Sequence, residues 1–161
     1  MDTSDNKSEN PWGDSLPVNL LRDGWTPHCF PNSTVMVALP TGVIGRFNDK
    51  GVLHGGTPKV GPFFSATLHS NPKFTQDRKS ALDFVATLAR KKGATAVDVA
   101  TYRYFVDPTE SRNDSRIMAF YVIGIPGAVV VATLSRPPDA PPSELVERIR
   151  EAIPCIVGEV A

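Results

Sequence analysis

The side chains able to do chemistry are few and scattered. Ser15, in Gly13-Asp14-Ser15-Leu16, could act as a nucleophile only with a histidine base within hydrogen-bond reach. The three histidines, His28, His54 and His69, all lie in the first half of the chain. Downstream, His54-Gly55-Gly56 with Lys59 combines backbone N–H groups free of side-chain cover with a nearby ammonium, a pattern suited to an anion. His28 and Cys29 are adjacent, and neighbours on a strand point to opposite faces, so they form no thiol–imidazole dyad. Tyr102 and Arg103 would likewise show opposite faces of a strand. Arg103 could pair with a carboxylate or lie on a binding face, and Tyr102 could pack or anchor a partner. Asp107, Glu110 and Asp114 are interleaved with Arg112 and Arg116, which reads as a solvated loop rather than a cation site. Three dispersed histidines and two distant cysteines make no zinc pattern, so neither metal nor cofactor is expected.

Two of these motifs have namesakes that fail on context. Gly13-Asp14-Ser15-Leu16 resembles the first block of the GDSL esterases, a family that draws its base from an Asp-x-x-His near the C-terminus. No histidine follows His69, and no buried strand precedes Ser15. His54-Gly55-Gly56 resembles the oxyanion loop of lipases, which accompanies a G-x-S-x-G elbow absent here. No G-K-[ST] opens a helix after the glycines, so a nucleotide loop is not indicated either.

Composition narrows the classes further. At 161 residues the chain suits about one domain, and an apolar fraction of 41% provides an ordinary core. Lys+Arg and Asp+Glu both number 17, so no long-range field draws the protein onto nucleic acid or an anionic membrane. Cys29 and Cys155 read as reduced, small core residues. Residues 1–10 lack the apolar stretch of a secretory signal, and the expected location is cytoplasmic.

The elements that would hold these residues follow from period and punctuation. Residues 1–11 read as a disordered tail, and 12–161 as a single domain opening on an irregular leader with Trp12, Trp25 and Phe30 among Pro17, Pro27 and Pro31. A strand at Thr34–Leu39 closes at Pro40, and Val43–Phe47 is its expected partner. A glycine-rich loop is expected over 48–62, then a strand over Phe63–His69. Ala81, Leu82, Val85, Leu88 and Ala89 share one face of a helix over 77–92, stopped by Gly93. A long strand spans Ala96–Val106. The uncharged run 117–134 has the length of a membrane span, but Pro126-Gly127 at its middle marks a buried β-hairpin. Ser143 N-caps a last helix that Pro154 must kink or end.

The order strand, strand, glycine-rich loop, strand, helix, strand, hairpin, helix predicts an α+β fold with an antiparallel sheet packed against two main helices. The Phe63–His69 strand, Ala81–Ala89 helix, Tyr102–Phe105 strand and Ile117–Leu134 hairpin together resemble the PsbP-like fold. That resemblance spans about residues 34–158 and rests on element order. It implies a non-catalytic domain that binds another protein: a bacterial secretion-associated accessory, chaperone or toxin-neutralising (immunity) protein. The candidate contact residues are His54, Gly55, Gly56, Lys59, Tyr102 and Arg103. The competing expectation is a small-molecule binder or unorthodox hydrolase built around 48–62.

Overall fold

The apolar run forms the centre of the molecule as a hairpin. Strands β9 (Ile117–Ile125) and β10 (Ala128–Arg136) pair along their whole length, from Ile117↔Arg136 to Ile125↔Ala128. Pro126-Gly127 makes the turn, with Gly127 at φ 92°, a conformation that glycine takes without a Cβ clash. This is a computed structural model, and it describes residues 24–159. The expected tail at 1–11, Trp12, Pro17 and the Gly13–Leu16 tetrapeptide lie outside the described residues.

The hairpin is the middle of a large antiparallel sheet. Its order is β3 (Ile44–Phe47), β4 (Leu53–Thr57), β5 (Gly61–His69), β10, β9, β7 (Tyr102–Val106), β6 (Val97–Val99), with β8 (Ser111–Arg112) also on β9. A smaller sheet runs β1 (Trp25–Cys29), β2 (Val35–Pro40), β11 (Val157–Glu159). Among the described residues three helices pack with these sheets: α1 (Pro72–Gln76), α2 (Ser80–Lys91) and α3 (Glu144–Ala152).

Alternation along β9 and β10 sends side chains to two different cores. Val122 and Val129 meet Ala81, Val85 and Ala89, the apolar stripe of α2, together with Phe105 and Phe74. Tyr121, Ile123, Ile125, Val130, Ala132 and Leu134 face the other way, toward the small sheet and α3. Gly124 is the contact point with α2: a Cβ there would lie 2.7 Å from Val85 Cγ2. The large sheet is therefore sandwiched, with α2 on one face and α3 plus the small sheet on the other.

Local signals set the helix ends. After α2, Gly93 has φ 71°, its N–H donates to Arg90 O, and Ala94 N–H donates to Ala89 O at 2.8 Å. That is the Schellman closure expected of Gly93. Ser143 accepts from Val146 N–H at 3.3 Å, as its N-cap role requires. Helix α3 stops at Ala152 and continues as a single 3₁₀ turn, Ile153–Cys155. Pro154 has no N–H to give the preceding turn.

Several expectations are corrected. The Val43–Phe47 segment does hold a strand, but β3 pairs with β4, whereas β2 pairs with β1 and β11. The segment 48–62 is no loop, because β4 runs through it, paired on both sides. The expected strand over Ala96–Val106 is a hairpin, β6 and β7, folded at Ala100-Thr101. Cys29 is exposed rather than in the core, while Cys155 is half-buried; both are free. No helix among the described residues is long and apolar enough to cross a membrane.

Candidate functional site

The six sequence-derived candidates fall into two separate places. His54, Gly55 and Gly56 sit on β4, and Tyr102 and Arg103 on β7; four strand spacings, about 19 Å, separate the two strands. His54 is exposed, its Nε2 3.3 Å from Asn48 Nδ2. Gly55 faces the small sheet, where a Cβ would come within 3.1 Å of Val43 and 3.2 Å of Leu39. Gly56 lies at a bulge between β4 and β5, and a Cβ there would be 2.4 Å from Gly61 O. Both glycines thus have a packing reason to be glycine. Lys59 stands exposed at the β4–β5 turn.

On β7, Tyr102 is 6% exposed, and its phenol is pushed up to about 12, mostly by burial and further by the Glu159 carboxylate. Arg103 is engaged on the α2 side. Its Nε lies 2.6 Å from Asp98 Oδ1 across the β6–β7 pair, and its Nη1 donates to Leu82 O of α2 at 3.4 Å. The Asp98 hydrogen bond raises Arg103 and holds the Asp98 carboxyl below its usual range. Arg103 and Asp98 also line an open depression of about 340 Å³ beside Arg90 and Ala94.

The tertiary structure assembles a different site, a groove of about 280 Å³ between α3 and the inner face of β9 and β10. Ile117, Ala119 and Leu134 line its apolar part, and Val146 enters from α3. Tyr121 stands among them, its phenol pushed up by burial, drawn down by Arg150, and pushed up further by Glu110 and Glu147. Two ion pairs flank the opening. Arg150 Nε donates to Glu147 Oε2 at 3.1 Å on α3, and Arg136 Nη2 lies 3.8 Å from Glu110 Oε2 on the sheet side. The hydrogen bond from Arg150 holds the Glu147 carboxyl below its usual range.

The groove continues onto sheet that no other described element covers. Register places Val97 opposite Tyr104, Tyr104 opposite Ile123, and Val106 opposite Tyr121, so all share the inner face. Val97 is 44% exposed and Val106 45%, while Tyr104 is half-buried against the core. The result is an apolar shelf running from β6 into the groove, rimmed by arginine and glutamate.

Sequence reasoning missed this surface, because its residues come from five elements and form no local motif. One signal was present: Glu147 and Arg150 stand three apart on the polar side of α3. Among the described residues, no group of three or more His, Cys, Asp or Glu is placed to hold a metal ion.

No protein-family model and no curated protein matches the chain. Solved structures do. The solution structure of cyanobacterial PsbP (CyanoP) from Synechocystis sp. PCC 6803 superposes with a TM-score of 0.51 at 14% identity, over 84% of this chain and 92% of that one. A crystal structure of a protein from Bacteroides thetaiotaomicron VPI-5482 gives 0.56 at 10% identity, over 80% of this chain. The match spans 46% of the Bacteroides chain, so it covers under half of that protein. The chain has the PsbP-like α+β fold that its element order suggested.

Proposed function

We propose that this chain is a non-catalytic protein-binding domain whose contact surface is the shelf Val97–Tyr104–Val106 together with the groove beside α3. The observation that carries the reading is the continuity of that surface. An apolar centre with two tyrosines, bounded by Arg136, Arg150, Glu110 and Glu147, has the anatomy of a protein interface: aromatic and arginine anchors within a polar rim. The fold supplies a rigid base, since β7 and β9 are held from behind by α2. The role this suits is a bacterial accessory protein, chaperone or toxin-neutralising protein.

Co-purification from the native host tests it. A partner recovered with the wild-type chain should be lost with Val106→Asp. That change sits on a residue already 45% exposed and should cost about 1 kcal/mol of folding stability, too little to unfold the domain. A solitary monomer under gentle conditions, or a partner retained by Val106→Asp, refutes the surface.

The polar groups of the groove favour a second reading, a small-molecule binder. Tyr121, Arg136 and Arg150 offer convergent polar groups, in a groove of about 280 Å³ that lies just under the usual range of ligand sites. A ligand that raises the melting temperature of the wild type but not of Arg150→Ala would favour it.

A further inference from the structure

The junction between the two sheets holds a half-buried imidazole with one ring nitrogen left without a partner among the described residues. His28 lies on β1 opposite Val37, and Val37 lies opposite Val157, so the ring continues a buried row facing the large sheet. There it rests on Gly45 of β3 so closely that a Cβ at Gly45 would meet Cε1 at 2.6 Å and both ring nitrogens at 2.9 Å. Its Nε2 is sealed and has no hydrogen-bond partner among the described residues. Phe30, two residues on from His28, and Phe47, two residues on from Gly45, meet edge to face at 5.5 Å.

We infer that His28 and Gly45 form an acid-sensitive latch, closed while the imidazole is neutral and opened when it takes a proton, which releases β1 from the β3 edge. The half-buried ring would have to place its second N–H at Nε2, where no acceptor among the described residues receives it, so protonation disfavours the closed contact. Among the described residues, no side chain around it supplies an acceptor. On β1, Cys29 points away and donates its thiol to Ser33 O. On β2 and β11 the row offers Val37 and Val157. On β3, Arg46 alternates to the opposite face, across from His54 of β4. Glu159, two residues beyond Val157, is held by Arg78.

Burial alone lowers the His28 pKa below its ordinary value. The sign follows from linkage. Below about pH 6.5 the open ring binds a proton more readily than the closed ring. The latch is therefore fully stable above that pH and loses closing equilibrium below it, by less than about tenfold per pH unit and only until the closed ring itself titrates. This device is independent of the binding surface proposed above.

Hydrogen exchange of the full chain, corrected for intrinsic rates, tests it between pH 7.5 and 5. Amides of β1 and β3 should exchange faster at the lower pH while those of β9 and β10 stay protected. His28→Gln, which carries no titrating ring, should abolish that difference. Equal protection of β1 and β3 at both pH values, or an unchanged acid response in His28→Gln, overturns the latch. Should the variant not fold, imidazole NMR of the wild type decides. Titration of His28 below its ordinary value, with Gly45 and Phe47 amides moving in step, supports the latch; titration at or above that value overturns it.

Discussion

At the scale of single residues, the glycines of β4 show how packing can mimic a functional motif. His54-Gly55-Gly56 reads as an anion cradle, yet Gly55 is where β4 passes Leu39 and Val43, and Gly56 is where a bulge brings Gly61 O close. Gly55 lies on a strand paired on each side, so the ladders claim its backbone N–H, while Gly56 is fixed by the bulge. Gly56→Ala should destabilise the protein by about 1–3 kcal/mol, because the 2.4 Å approach is to backbone and cannot be relieved by rotating a side chain. Lys59→Ala, at an exposed turn, should leave stability within about 0.5 kcal/mol. Urea denaturation of the two variants checks this. Lys59 is therefore the fair probe of any binding at this turn, since loss of binding in Gly56→Ala could not be separated from loss of fold.

At the scale of elements, what was legible is what local chemistry specifies. The α2 stripe, its Gly93 stop, the Ser143 cap and the Pro126-Gly127 turn all stand where residue type and period put them. Strand β4 was invisible because glycine has poor strand preference and the reason for it lies in another sheet. Strand β1 was hidden by Pro27, which is tolerated because β1 is an edge. The break between β6 and β7 was missed for a different reason. Ala100 takes φ 54° at the first position of a two-residue hairpin loop, where glycine is the usual choice. An L-residue there is strained by roughly 1 kcal/mol. Ala100→Gly should relieve that strain and raise the urea midpoint by the equivalent of about 0.5–1 kcal/mol without changing the slope.

At the scale of the molecule, three parts distant in sequence converge on Arg78. Its Nη2 donates to Pro126 O at 3.1 Å and to Glu159 at 2.8 Å, while its own carbonyl accepts from Gly127 N–H at 3.0 Å. One side chain thus ties the approach to α2, the central turn and the last strand. Arg78 is more than half exposed, so solvent screens the pair with Glu159. Arg78→Ala should cost about 1 kcal/mol and increase exchange at β11 before it affects β9 or β10. Uniform exchange changes across the sheet would contradict a local tie. The groove belongs to this same scale, since α3 reaches it only by packing across β10 and β2.

By itself the sequence determined the class of fold, the central hairpin, both long helices and their stops, because each rests on periods, caps and turns readable within a few residues. The order of strands, the partner of β3, the strand inside 48–62 and the shelf-and-groove surface were decided only in three dimensions. Strand pairing is a contact between distant segments, and many orders satisfy the same alternation of apolar residues. The residues that first drew attention, His54 through Lys59 and Tyr102-Arg103, were separated by that pairing. Tyr121, Arg136 and Arg150, unremarkable along the chain, were brought together by it, as His28 was brought onto Gly45.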